Sequence, residues 1–334
     1  MAIELCYDRG AFNRNNVRRQ CQRVWSEENV NKRVKDNQYY LKPHFQSINK
    51  KRMSVRMENQ SQSVGQIKSK DGTIVSYQVN GSGPGLIIIP GVLSIANNYN
   101  VLAEYLSKNF TVYTIERRGR GLSGPQGDDY GINKECEDVL AVREKARAQY
   151  LFGHSYGGLI ALEVARNNDH FLRIALYEPA VSIDGSISMS WIPSYKNAID
   201  KKKHLDAFAT FSIAAGPEKA QKTPHWVMKL MLPFFIPKQE LKQMFSLLEE
   251  NLKEHKEVAR KDNTYKNYEQ ISAGVLLMYG GKTGLKWVNK AIAALSDILP
   301  SSEVKEFYNL DHFGPDKKAP HEISLTVKEF FIKN

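Results

Sequence analysis

The chain has 334 residues, 42% hydrophobic and 25% charged, the balance of a globular protein with enough apolar material for one large core or two. No run approaches the apolar length needed to cross a bilayer, and residues 1–10 lack the uninterrupted apolar core of a secretory signal, so the cytosol is the expected location. The net charge of +11 is unevenly spread: residues 1–56 hold 13 Lys or Arg against 5 Asp or Glu, which leaves the body at only +3 and gives no reason to expect nucleic acid on it.

Residues 1–60 therefore read as a basic, polar leader, poorly ordered or loosely helical, and the texture changes near Ser61. Residues 64–69 and 73–79 predict two strands around the hairpin signal Asp71-Gly72. Residues 86–89, Leu-Ile-Ile-Ile, are a continuous apolar strand of the kind buried on both faces. A helix over 97–106, a strand over 111–115 and a helix over 133–147 follow, then a strand over 148–152 and a helix from 159. A further strand is predicted over 173–177. After a long interval come a strand over 275–279, a helix over 288–299, a strand over 303–308 and a closing helix over 320–332. Strands alternating with helices predict an α/β protein: a mostly parallel, doubly wound sheet, with its core in residues 61–180 and 274–334.

Residues 181–273 are too many for a connection within such a sheet, where about 2 to 6 residues are usual. They predict a helical cap. Residues 238–255 place Leu241, Met244, Phe245, Leu248 and Leu252 at helical spacing, and an apolar group from Trp226 to Phe235 precedes them. Tyr156, Trp191, Trp226 and Phe234 are the aromatic candidates for an apolar substrate pocket under that cap.

Gly153-His154-Ser155-Tyr156-Gly157 matches G-x-S-x-G between a predicted strand and a predicted helix. A sharp turn there thrusts Ser155 outward, and a Cβ at Gly153 or Gly157 would clash. Ser155 is the candidate nucleophile, and it needs a base near neutral pKa. Of eight histidines, His312 falls in the loop after the last strand, at the carboxyl end of the sheet where Ser155 must also lie. His154 is expected to point away from the serine.

These parts, in this order, resemble the α/β-hydrolase family over residues 64–334. Pro90-Gly91-Val92 resembles its oxyanion loop, and the run from Glu116 to Ser123 is similar to its Asp-x-Arg-Gly-x-Gly-x-Ser turn, with Glu116 in place of Asp. The resemblance implies an oxyanion hole from the backbone N–H groups of Val92 and Tyr156, and the base at His312. The family's usual aspartate position holds Thr283, which cannot neutralise an imidazolium. Glu178, at the end of the 173–177 strand, is the candidate acid, with Asp311 the weaker substitute.

The expected activity is that of a serine hydrolase on an ester, lactone, thioester or related carbonyl of a small, apolar substrate, with no cofactor and no metal. A ligand-binding or signalling protein with a weakened triad is the alternative, and a cofactor-free peroxidase or carbon–carbon bond hydrolase would use almost the same residues. Gly119 to Gly124 also matches G-x-G-x-x-G, but Pro125 and Gly127 stand where a phosphate-binding helix should begin. Oligomeric state is not legible.

Overall fold

Strand β3 (Gly85–Ile89) is buried along its whole length, because alternate residues enter two different cores. Ile87 and Ile89 face one layer, with Leu151, Leu176 and Leu277 from neighbouring strands. Leu86 and Ile88 face the other, with Phe152, Ala175, Tyr177 and Met278. The computed structural model describes residues 63–167 and 169–333, so the leader expected over 1–60 lies outside the described residues.

The sheet has the order β1-β2-β4-β3-β5-β6-β7-β8. β1 (Ser63–Lys68) and β2 (Ile74–Asn80) form the hairpin expected around Asp71-Gly72, and β2 pairs antiparallel with β4 (Thr111–Glu116). From β4 through β3, β5 (Tyr150–His154), β6 (Arg173–Tyr177), β7 (Gly274–Gly280) and β8 (Ser302–Phe307) all pairings are parallel. Helices cover both faces. Apolar residues of α1 (Asn100–Leu106) lie in one layer with those of the closing helix, Pro320–Ile332. The other layer takes those of α2 (Ile132–Ala146) and α3 (Tyr156–Ala165), and of a later helix, Lys286–Ile298. This is the mostly parallel, doubly wound α/β architecture expected.

Between β6 and β7 the chain leaves the sheet for α4 (Ile192–Asp200), α5 (His204–Ala214), α6 (Glu218–Gln221), α7 (His225–Phe235), α8 (Lys238–Phe245) and α9 (Leu248–Arg260). The helix from Lys286 to Ile298 is α10 and the closing one, from Pro320 to Ile332, is α11. The single helix expected over 238–255 is two. The Ser246 hydroxyl donates to the Gln243 carbonyl (2.7 Å) and its N–H is shared between Lys242 and Gln243, which tightens the turn and ends α8. The break sends both Leu247 and Leu248 into the interior.

The inserted helices stand over the carboxyl ends of the strands. Gln243 donates to Asn98 after β3 (3.1 Å), Lys253 to the Gly127 carbonyl after β4 (2.7 Å), and Lys317 after β8 pairs with Glu240. Deepest of these contacts is Glu254 of α9, fully buried, whose Oε1 accepts from Arg117 (2.8 Å) and Arg120 (2.6 Å). Removing one member of such a buried cluster leaves uncompensated charge, so the cluster fixes where α9 sits.

Candidate functional site

At the end of β5 the backbone turns sharply. Ser155 has φ 54° and ψ −119°, a left-handed value that costs about 1–3 kcal/mol for a residue with a Cβ. Hydrogen bonds hold it there: its N–H donates to the Tyr177 carbonyl (3.0 Å), and its carbonyl accepts from Gly158, Leu159 and Ala180. The two glycines make the turn possible, each against a different neighbour. A Cβ on Gly153 would meet the Gly157 carbonyl at 2.6 Å, and one on Gly157 would meet the Ile89 carbonyl at 2.2 Å. The second clash is with β3, not with Gly153, so Gly157 is what lets the elbow dock beside the loop that follows β3. In that loop a Cβ on Gly91 would lie 3.3 Å from the Cβ of Ser155. Val92, the next residue, is half-buried, and Tyr156 is the buried first residue of α3.

Glu178 follows β6 directly and is fully buried at φ 44°. Its Oε2 lies 2.7 Å from Nδ1 of His312, in the loop after β8, and accepts the Thr283 hydroxyl (2.9 Å); Oε1 accepts the Gly280 N–H (2.9 Å). Thr283 thus holds an acid supplied from the next strand. Asp311, the weaker substitute, is engaged elsewhere: it pairs with Lys318 and accepts the Phe313 N–H.

Burial works against charge on His312, but the Glu178 hydrogen bond and carboxylate outweigh it and hold the imidazole pKa above its ordinary value. Nearby Asp316, in the turn Gly314–Lys318, has an Oδ1 without a hydrogen-bond partner, and burial pushes its carboxyl up to about 7. Trp287 and Phe313 stand edge-on to the His312 ring, at 6.1 and 5.9 Å between centroids.

His154 links two loops, a role that was not legible in the sequence. Its Nε2 lies 2.8 Å from the His312 carbonyl oxygen and its Nδ1 2.6 Å from the Tyr99 hydroxyl, which accepts the Gly91 N–H (3.1 Å). Burial, then the neighbouring His312, hold the His154 pKa well below ordinary, so the ring is neutral, with Nε2 the donor and Nδ1 the acceptor. A second unforeseen support is Arg117, which donates to the carbonyls of Gly91 (3.1 Å) and Pro90 (3.4 Å) while paired with Glu135 and Glu254.

The aromatic candidates for a pocket part company. Tyr156 is buried with its hydroxyl 3.0 Å from that of Tyr130, Trp191 packs edge-on against Tyr195, Phe211 and His255, and Trp226 and Phe234 face solvent. The glycine run from Gly119 closes on itself through Gly119 N–H to the Gly124 carbonyl (2.7 Å), and the next helix begins only at Ile132.

A mostly parallel sheet with a strained serine at the carboxyl end of its fifth strand, and a His–Glu pair on loops beside it, is the architecture of an α/β-hydrolase. The chain belongs to the alpha/beta hydrolase family, whose model matches residues 86–323. It is 35% identical over 124 residues to N-formylmaleamate deformylase of Pseudomonas putida, a match covering 36% of this chain and 46% of that protein. It is 28% identical over 102 residues to pyrrolizixenacetamide deacetylase of Xenorhabdus hominickii, covering 30% and 38%. In sequence, then, the chain spans less than half the length of these relatives. Among solved structures, an alpha/beta hydrolase from Sphaerobacter thermophilus superposes with a TM-score of 0.69 at 26% identity, over 80% of this chain and all of that one.

Proposed function

We propose that the chain is a serine hydrolase that cleaves an ester or related carbonyl bond of a small, apolar substrate under a helical cap formed by residues 181–273. The Glu178–His312 pair, 2.7 Å long and set beside the Ser155 elbow, carries this reading. With Nδ1 committed to Glu178, His312 Nε2 is the nitrogen that takes the Ser155 proton as Oγ attacks the carbonyl carbon. The N–H groups of Val92 and Tyr156 receive the developing oxyanion, and His312 returns the proton to the leaving group. Water then repeats the sequence on the acyl-enzyme. The rings of Trp287 and Phe313 beside His312 favour an apolar substrate. Two relatives are named as a deformylase and a deacetylase, which favours transfer of a short acyl group to water.

The rival reading, a ligand-binding protein with a weakened triad, rested on Thr283 in the acid's place. Glu178 weighs against it, because it gives His312 an ionisable partner from the residue that follows β6. A fluorophosphonate probe on the full chain tests the proposal. The parent is expected to label and Ser155→Ala to stay unlabelled; a folded parent that fails to label would make it a binding protein.

The base must be neutral to accept a proton, so kcat/KM is expected to fall as pH drops through the raised His312 pKa. The midpoint of that acid limb should lie above the ordinary imidazole value of about 6.5. Ionised Asp316 favours the imidazolium, so Asp316→Asn should move the midpoint to lower pH. A pH–rate profile of both proteins checks this, and an unmoved or raised midpoint counts against it.

A further inference from the structure

Helix α7 carries large apolar residues on its outward side as well as its inward one. Met228 and Leu232 are buried inward, whereas Trp226, Leu230 and Phe234, at i, i+4 and i+8, form one outward ridge and are 64%, 69% and 81% exposed. Single exposed apolar residues are ordinary; three large ones aligned along one helix form a patch of the kind that marks an interaction surface.

The surroundings are basic. Residues 191–245 carry nine lysines against four acidic side chains and no arginine. Exposed Lys222 precedes α7, and exposed Lys238 and Lys242 follow it. At the start of the helix a cavity of about 490 Å³ is lined by Trp191, Lys201, Lys203, Asp206, Thr210 and His225 among others.

We propose that this ridge docks on an anionic lipid bilayer, with Trp226, Leu230 and Phe234 entering the acyl boundary and the flanking lysines meeting lipid phosphates. Trp, Leu and Phe beside lysine are the composition of an interfacial helix, and 11 residues lie on a membrane rather than across it. Charge decides against the other occupants. A two-fold contact with a second copy would set these lysines against themselves. Residues 1–56 carry a net of +8 and would be repelled as well. An anionic surface is attracted by the excess of lysine over acid here, although Lys222 itself pairs with Glu218 (2.8 Å), and it receives the apolar ridge. The docked face belongs to the inserted helices that stand over the strand ends, so a substrate dissolved in lipid would meet the protein there.

Flotation of the full chain with vesicles tests this, using phosphatidylcholine alone and phosphatidylcholine with about 30% phosphatidylglycerol. The parent is expected to float with the anionic vesicles, with a blue shift of tryptophan emission. Leu230→Asp combined with Phe234→Asp should lower partitioning at least about tenfold. Both side chains face solvent, so the melting temperature and turnover of a water-soluble ester should hold. Equal flotation of variant and parent would overturn the proposal, assigning the binding to other basic segments, and so would a parent that stays in solution. A parent dimer that the double substitution dissociates would assign the ridge to a second copy instead.

Discussion

Glu178→Ala is expected to lower ester turnover by about three to four decades, with little change in KM. The magnitude follows from the charge it removes. A carboxylate and an imidazolium about 4 Å apart attract by about 4 kcal/mol at an effective dielectric of about 20, roughly three decades of rate, and loss of the orienting hydrogen bond adds to that. Glu178→Gln should be nearly as damaging. Its amide fills the same space, but an NH2 group facing Nδ1 of His312 forces that nitrogen to accept, leaving Nε2 protonated and unable to act as base. Thr283→Ala removes only one of the two donors that hold the carboxylate, since the Gly280 N–H remains on Oε1. A hydrogen bond to a charged group is worth about 1.5–3 kcal/mol, part of which is recovered by relaxation, so a loss of about tenfold is expected. Steady-state kinetics on one soluble ester for the three variants separate these cases. Small, similar losses from Glu178→Ala and Thr283→Ala would remove Glu178 from the mechanism.

That ranking depends on a contact that sequence reached only in part. Ser155 was legible because the elbow is local: two glycines, a strand before and a helix after. His312 was legible from chain order, since a loop after the last strand must return to the carboxyl end of the sheet. Glu178 was legible from register, as the first residue beyond an apolar strand. Thr283 appeared only as a missing acid, because a hydroxyl in that loop acquires meaning from the carboxylate it holds, 105 residues away. Glu254 gave no signal at all. On an amphipathic helix it looks like one more exposed charge, and its pairing with Arg117 and Arg120 arises only when α9 is laid over the loop after β4. Trp226 and Phe234 erred in the opposite direction: apolar residues in an inserted segment were expected to line a pocket, whereas the fold turns them outward.

His154→Phe is expected to lower kcat about a hundredfold while leaving KM nearly unchanged. His154 touches no reacting atom in the proposed mechanism; it is a positioning residue. Three hydrogen bonds in series, from the Gly91 N–H to Tyr99, from the Tyr99 hydroxyl to His154, and from His154 to the His312 carbonyl, tie the loop after β3 to the loop that carries His312. Phenylalanine keeps the ring and its contacts with Tyr99 and Tyr177 but makes neither hydrogen bond. The Tyr99 hydroxyl and the His312 carbonyl are then left without their partner, at about 1–3 kcal/mol each if no water enters, and the His312 loop is free to shift. A displacement of about 1 Å in a catalytic group is enough for a hundredfold loss. His154→Gln, whose amide has both a donor and an acceptor, should recover part of kcat. Stability alone does not produce this pattern, because a merely structural role would lower the melting temperature of both variants without separating their kcat. A His154→Phe protein that is folded and turns over within about twofold of the parent would show that His312 is held by Glu178 alone.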